Sequence, residues 1–190
     1  MTYSQADFQA ALSTLRRGGV ILYPTDTVWG IGCDATSQEA VERIFRIKRR
    51  ADSKAMLSLI DSAESLMRYV DTAAVEAAAA VIDPVRPTTV IYPGVTGISP
   101  GLIAPDGTAG FRISRADFSR DLCRELGHPL VSTSANISGH PAPASFSDID
   151  SQILEAVDYV VIHDRDADVE AAPSRIVTLN PDGTSTVIRP

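Results

Sequence analysis

The sequence has few cysteines and no long hydrophobic run. Its 190 residues include only Cys33 and Cys123, which lie far apart and outside any metal-ligand spacing. This pattern favours two packing cysteines in a reducing compartment over a disulfide or a zinc site. No segment approaches the roughly 18 to 20 apolar residues that a transmembrane helix needs, and the first residues lack the features of a signal peptide. We therefore expect a cytoplasmic protein without membrane contact.

Well-known nucleotide-binding and nucleophile motifs are absent too. There is no G-x-x-x-x-G-K-[ST] loop, and residues 30–34 (GIGCD) lack the third glycine of G-x-G-x-x-G. Because there is no G-x-S-x-G elbow, Ser132 and Ser134 gain no support as hydrolase nucleophiles. The three histidines share no metal-ligand spacing. A nucleotide site in this chain would therefore depend on cationic side chains.

The overall charge is acidic, but one segment is strongly basic. A net charge of −7 argues against broad electrostatic binding of nucleic acid. Six basic residues nevertheless fall within positions 43–54, where Asp52 is the one acidic residue. Lys48 and Arg50 follow a predicted helix, where cations complement the helix dipole. Alternatively, they form a phosphate clamp, in which Lys48 is a point charge and Arg50 a bidentate fork.

Helical and strand-like patterns alternate along the chain. Their order predicts an α/β sheet with antiparallel pieces toward the end, in a single domain spanning residues 1–190. Helices are predicted at 4–17, 37–49, from 61, at 72–82, 117–126 and 147–156, and strands at 20–23, 56–60, 88–92, 109–113, 129–132, 158–162, 175–179 and 185–189. Ser4 and Asp7 form the pattern of a capping box. The length of loop 93–107 suggests a functional role, such as a lid.

Small polar side chains follow two of the predicted strands. Residues 132–139 (STSANISG) offer hydroxyls and an amide for hydrogen bonds to a polar ligand. Residues 23–30 (YPTDTVWG) form either an ordinary turn or a ligand site, because ligands bind beyond the carboxyl ends of strands in open α/β sheets. Arg112, within a predicted strand, is either an exposed-face residue or a bidentate grip for a carboxylate.

Together these segments resemble the YrdC-like family of threonylcarbamoyl-adenylate synthases. The motifs follow in order: Y-P-T-[DE]-[ST]-x-[WYF]-G-[IL]-G at 23–32, K-x-R at 48–50, a strand arginine at 112, S-x-S-A-N-x-S-G at 132–139, P-S-x-[IV]-[IV] at 173–177 and a late arginine at 189. The resemblance implies a twisted, open, mixed parallel/antiparallel sheet with flanking helices and a concave basic cavity.

The resemblance also implies a reaction. L-Threonine, bicarbonate or CO₂, and ATP would give threonylcarbamoyl-AMP and pyrophosphate, and a downstream transferase complex would use the product to form threonylcarbamoyladenosine at position 37 of tRNA. Direct contact with tRNA or double-stranded RNA is a further expectation. Positioning and charge stabilisation serve such chemistry, so no certain catalytic acid or base is implied.

Site residues carry over position by position. The ATP site, with Mg²⁺ accompanying the nucleotide, would comprise Lys48, Arg50, Ser134, Asn136 and Arg189. The L-threonine site would comprise Thr25, Thr27, Arg112, Ser132 and Ser174.

The chain also departs from the family pattern. Ala51 and Lys54 stand where many relatives have Pro and Asn, Arg175 replaces a common Thr, and the W-P-G-P-[LVFY]-T segment is reduced, with apparent shortening around 72–88. The alternatives are a YciO-like paralogue with another activity and a non-catalytic RNA-binding module. Retention of residues 134–136 (SAN) disfavours the paralogue, and the net charge of −7 disfavours the RNA-binding module.

Overall fold

The computed structural model describes residues 3–49, 56–166, 173–180, 182 and 184–190. The helices are α1 Gln5–Arg16, α2 Gln38–Ile47, α3 Ala63–Leu66, α4 Thr72–Ala78, α5 Asp117–Leu126 and α6 Ser151–Ala156. The strands are β1 Ile21–Tyr23, β2 Gly30–Gly32, β3 Leu57–Ile60, β4 Thr88–Tyr92, β5 Ala109–Ile113, β6 Leu130–Ser134, β7 Tyr159–Val160, β8 Arg175–Leu179 and β9 Ser185–Arg189. Two short 3₁₀ turns span Pro100–Leu102 and Phe146–Asp148.

All the strands of this described part belong to one mixed sheet. Its order is β7-β1-β2-β6-β3-β5-β4-β8-β9. The pairs β1–β7, β3–β5 and β4–β8 are parallel, and the other neighbours are antiparallel. The mixed α/β fold class predicted from the sequence is therefore confirmed.

Helices α1 and α5 cover one part of the sheet. The apolar residues of α1 recur at helical spacing, and Phe8, Leu12 and Leu15 join a buried cluster with Leu59 of β3 and Leu130 of β6. A second cluster gathers α2 with the segment that follows β4. The spacing of apolar positions thus determines which face of each helix is buried.

The predicted capping box at the start of α1 is wrong. Ser4 occupies the N-cap position but makes no side-chain cap hydrogen bond. The buried Asp7 carboxylate instead accepts hydrogen bonds from the backbone N–H groups of Ile162 and His163 and from the hydroxyl of Tyr159. These tertiary donors replace the local partner, so Asp7 fastens α1 to the chain around β7.

Strand β2 was not predicted, because its sequence resembles a turn. A Cβ built on Gly32 would lie 2.3 Å from the carbonyl oxygen of Val131 and 2.7 Å from the ring of Tyr23. A side chain at this position would therefore collide with both neighbouring strands. The glycine allows β2 to run between β1 and β6, where it pairs with both.

Loop 93–107 is a packed connection. Val95, Ile98 and Leu102 are buried in the same cluster as α2, and Ser99 N donates to the carbonyl of Ala35. The lid expected from its length has no support in this packing. Two predicted helices are also shorter than expected: α4 ends at Ala78, and the region 147–156 divides into a 3₁₀ turn and α6.

Candidate functional site

A cavity of about 430 Å³ lies on one face of the sheet. The predicted site residues among its lining are Thr27, Arg112, Ser132, Ser134, Ser174 and Arg189. Their sequence positions span much of the chain, but the strand order brings them together. Six residues that were predicted from the sequence as site residues therefore line the same cavity.

Strand register explains why these side chains share a face. Ser132 pairs with Leu57 of β3, and Ile176 pairs both with Thr89 of β4 and with Arg189 of β9. Directly paired residues point to the same side of a sheet, and alternate residues along a strand do so as well. The cavity therefore extends across several strands on one side of the sheet.

Arg112 is the most deeply buried charge at this cavity. Its side chain is 3% exposed and forms an ion pair with Asp26, at 2.9 Å between Nη2 and Oδ1. Burial lowers the pKa of the Arg112 guanidinium, and the charge of Asp26 opposes that shift. Because arginine starts from a very high pKa, the group remains a cation at neutral pH. Such a guanidinium is suited to bind a carboxylate.

A second guanidinium approaches the cavity from β9. Arg189 donates from Nε and Nη2 to the carbonyl oxygen of Ser174, at 2.8 and 2.6 Å. The Ser174 hydroxyl in turn lies 2.9 Å from the hydroxyl of Thr89, in a buried contact. Burial lowers the pKa of Arg189, and the charges of Arg86 and Arg112 lower it further. The positive charges of Arg86 and Arg112 thus repel that of Arg189, and an anionic ligand in the cavity would relieve this repulsion.

The turn between β1 and β2 also contributes to the lining of the cavity. Thr25 Oγ1 accepts from Thr27 N at 3.1 Å and donates to Val28 O at 2.8 Å. These local hydrogen bonds fix the turn, which presents Thr27 and Val28 to the cavity. Thr25 supports the turn and lines a neighbouring depression with Arg115.

The chain after β6 forms a compact polar turn. Asn136 Nδ2 donates to His140 O at 2.6 Å, and the Ser134 hydroxyl donates to Asn136 Oδ1. Asn136 lines a second depression of about 430 Å³, which shares residues 142–144 with the first cavity. The two predicted nucleotide residues therefore lie where these spaces adjoin.

Lys48 is buried beneath this turn. Its side chain is 1% exposed, and its ammonium donates to the carbonyl oxygens of Ser134 and of Asn136, the latter at 2.7 Å. The Lys48 carbonyl also accepts from Ser138 N. Arg50, Ala51 and Lys54 lie outside the described residues. The phosphate-binding roles assigned to Lys48 and Arg50 stay predictions.

Comparison with known proteins connects this geometry to a family. Residues 13–190 match the Sua5/YciO/YrdC family, whose description is "Telomere recombination". The chain belongs to the Sua5/YciO/YrdC family. The resemblance stated from the sequence motifs is thereby confirmed.

Individual relatives match most of the chain. A protein of Pseudoalteromonas translucida named threonylcarbamoyl-AMP synthase is 36% identical over 160 residues, which is 83% of this chain and 86% of that protein. The structure of E. coli YciO matches with a TM-score of 0.82 at 26% identity, over 98% of this chain and 89% of that one. The structure of P. abyssi Sua5 complexed with L-threonine has a TM-score of 0.82 at 23% identity and matches 96% of this chain but 53% of that one.

Sequence reasoning missed two features of this Sua5/YciO/YrdC member. Asp26 was assigned no role of its own within the segment 23–30, and its pairing with Arg112 depends on strand order. The glycines of β2 were considered only as a phosphate motif, although Gly30 also lies against Thr25 and Ser132. Within the described ranges, no cluster of three metal-ligating side chains occurs and no helix is long and apolar enough to cross a bilayer.

Proposed function

We propose that this protein is a threonylcarbamoyl-AMP synthase, a nucleotide-handling transferase. It would convert L-threonine, bicarbonate or CO₂, and ATP into threonylcarbamoyl-AMP and pyrophosphate. The name of the P. translucida relative and the threonine complex of P. abyssi Sua5 support this proposal. The observation that carries it is Arg112, a buried guanidinium that lines the cavity and whose Nε has no hydrogen-bond partner among the residues that the structure describes.

The amino acid would bind through its carboxylate. Arg112 would accept the carboxylate as a bidentate partner, which suits a planar fork better than a point charge. The hydroxyls of Thr27, Ser132 and Ser174 surround the same space and would hydrogen-bond the remaining polar atoms. Thr25 would act through the turn that it fixes.

The chemistry consists of two bond-forming steps. The α-ammonium of threonine first loses a proton to solvent, and the free amine nitrogen bonds to the carbon of CO₂ while one C=O π pair moves onto oxygen. Loss of a second proton from that nitrogen gives the carbamate, and bicarbonate would supply CO₂ by taking up a proton and releasing water. A carbamate oxygen then bonds to the α-phosphorus of ATP, while the bond from that phosphorus to the bridging oxygen of pyrophosphate breaks. Both steps join reactants held side by side, so positioning and charge stabilisation would provide much of the acceleration.

The nucleotide would occupy the region near Ser134 and Asn136, with Arg189 close to its phosphates. Mg²⁺ would arrive with ATP as part of the substrate, since this cation is commonly held by substrate phosphates with few protein ligands. Lys48 and Arg50 complete the proposed phosphate site. Lys48 would contact a phosphate by exchanging one of its carbonyl acceptors, Ser134 O or Asn136 O.

The product would feed a transferase that modifies adenosine 37 of tRNA in the cytoplasm. Direct contact of this chain with tRNA or double-stranded RNA is a separate possibility within the same proposal. The net charge of −7 means that any such contact would be confined to a local basic surface. A YciO-like activity is the main competing outcome of the test below, given the match to E. coli YciO.

The direct test is pyrophosphate release by the purified protein with ATP, Mg²⁺, L-threonine and bicarbonate. Each component is omitted in turn, and mass spectrometry identifies the nucleotide product. We expect release that requires both threonine and bicarbonate, together with threonylcarbamoyl-AMP. A folded protein that forms no such adduct would contradict the proposal and favour a paralogue or RNA-binding module.

Two arginine variants test the threonine site. Arg112→Ala should raise the threonine requirement by about tenfold or more, because a buried charge partner is lost, and should change the ATP requirement little. Arg124→Ala removes a largely exposed arginine of α5 and serves as the matched control. Equal increases in both requirements for Arg112→Ala would contradict the assignment of Arg112 to the amino acid.

A further inference from the structure

Asp26 is the acidic residue of the β1–β2 turn, and the proposed reaction assigns it no task. Its side chain is 9% exposed, and its oxygens contact two points on and just beyond β5. Oδ1 lies 2.9 Å from Arg112 Nη2, and Oδ2 accepts a hydrogen bond from Arg115 N at 3.3 Å. Asp26 is therefore fixed by the same segment that carries Arg112.

The contact between Asp26 and Arg112 leaves hydrogen-bonding capacity unused. Although the ion pair is short, Asp26 Oδ1 and Arg112 Nε both lack a hydrogen-bond partner among the described residues. Coulomb attraction thus holds the guanidinium without a well-aligned hydrogen bond between the two groups. The Nε donor of Arg112 therefore remains available to another acceptor.

We propose that Asp26 is a positioning residue that presents Arg112 to the carboxylate of the amino-acid substrate. This inference rests on the proposed function. A bidentate contact requires the guanidinium plane to be correctly oriented. A mobile arginine side chain would lose conformational freedom when the carboxylate binds, which would weaken the binding. Asp26 holds one edge of the group in advance, while the side chain still lines the cavity.

Two effects of Asp26 oppose each other. Its negative charge repels an incoming carboxylate, which weakens binding. Its hold on Arg112 favours binding, because a guanidinium that is 3% exposed would otherwise move toward water. Within the described part of the chain, Asp26 is the acidic partner found for Arg112. We expect the hold to dominate, so removal of the Asp26 charge should weaken the binding of threonine.

The test is calorimetric titration of L-threonine into the wild type and four variants: Asp26→Asn, Asp26→Glu, Arg112→Lys, and the double variant of Asp26→Asn with Arg112→Lys. Asp26→Asn should weaken binding by about tenfold, and Asp26→Glu, which keeps the charge, by less than about threefold. In the Arg112→Lys background, Asp26→Asn should weaken threonine binding by less than about a further twofold, because an ammonium has no planar pair of donors to orient. In turnover assays, Asp26→Asn should raise the KM for threonine and leave the KM for ATP unchanged.

Several results would overturn this positioning role. One is threonine binding that is unchanged or tighter in Asp26→Asn. Another is a loss of threonine affinity on Asp26→Asn that is equally large in the wild type and in the Arg112→Lys variant. Thermal unfolding of each variant verifies that it is folded. If Asp26→Asn is not folded, Asp26→Ser, which also removes the charge but is smaller, takes its place with the same expected loss of threonine binding. If the wild type binds no threonine, the proposed function fails, and the same proteins are titrated with acetate. Weaker acetate binding in Asp26→Asn supports the positioning role, and equal binding overturns it.

Discussion

Replacement of Lys48 by Met should cost stability as well as affect any nucleotide contact. The ammonium lies under the turn that follows β6 and donates to the carbonyl oxygens of Ser134 and Asn136. Met retains most of the apolar stem but has no donor. The variant therefore separates a role in holding this turn from a role in binding phosphate.

The expected magnitude follows from the two carbonyls. Ser134 O also accepts from Asn136 N at 2.9 Å, so it keeps one partner, whereas the donor identified for Asn136 O is lost. One unsatisfied, partly buried carbonyl costs about 1–3 kcal/mol, and release of a buried charge offsets part of the lost attraction. We expect a net loss of about 2 kcal/mol, which corresponds to a decrease of about 4–8 °C in Tm for a chain of this size.

Thermal unfolding measured by circular dichroism provides the assay. The control is Arg46→Met, which removes an exposed cation from the last turn of the same helix and should shift the free energy of unfolding by less than about 0.5 kcal/mol. An unchanged Tm for Lys48→Met, combined with an ATP requirement raised by about tenfold, would refute the bracing role and identify Lys48 as a phosphate ligand.

Two further predictions concern close packing and pH. Gly32→Ala should destabilise the protein by about 3 kcal/mol in urea unfolding followed by tryptophan fluorescence, because its Cβ would lie 2.3 Å from a β6 carbonyl. Gly30→Ala, whose nearest contact is 3.3 Å, should cost about 1 kcal/mol or less, and equal losses would contradict this explanation. Burial raises the pKa of Tyr3, Tyr92 and Tyr159 to about 12. The free energy of unfolding should therefore fall between pH 10 and about 12, because the tyrosines of the unfolded chain lose their protons first. A titration followed by tyrosinate absorbance that gave all three their ordinary pKa of about 10 would contradict this prediction.

Local patterns were sufficient for most elements of this fold. The apolar spacing of α1 and α5 and the β-branched segment of β4 depend on neighbours along the chain, and the alternation of elements indicated the fold class. The end of the helix in the alanine-rich segment after position 72 was harder to predict from the sequence. The segment favours a helix up to residue 82, but α4 ends at Ala78, and the backbone N–H groups of Ala80 and Val81 donate to carbonyls three residues back, which is the tighter geometry of a turn.

The candidate site was predictable where chemistry follows a strand and unpredictable where it depends on strand order. Clustered hydroxyls at the end of β6 indicated a polar pocket, and Ser132 and Ser134 of this strand line one. The partnership of Asp26 with Arg112 joins residues far apart in sequence, and no local pattern reveals it. The burial of Lys48 was not predicted, because lysine is rarely buried without acceptors, and the acceptors here come from a part of the chain that is distant in sequence.

The position of β9 has a consequence for the order in which parts of this protein fold during synthesis. Arg189 is contributed by the strand that follows all other described elements in the chain, and it closes onto Ser174 at the edge of the sheet. During synthesis, the earlier strands emerge from the ribosome before this wall exists. Strand β9 forms a local hairpin with β8, but β8 joins the sheet by pairing with β4, which is distant in sequence. Because such non-local pairing forms slowly, completion of the cavity is a late event of folding. The part of the cavity wall that Arg189 contributes therefore exists only after β9 has been translated.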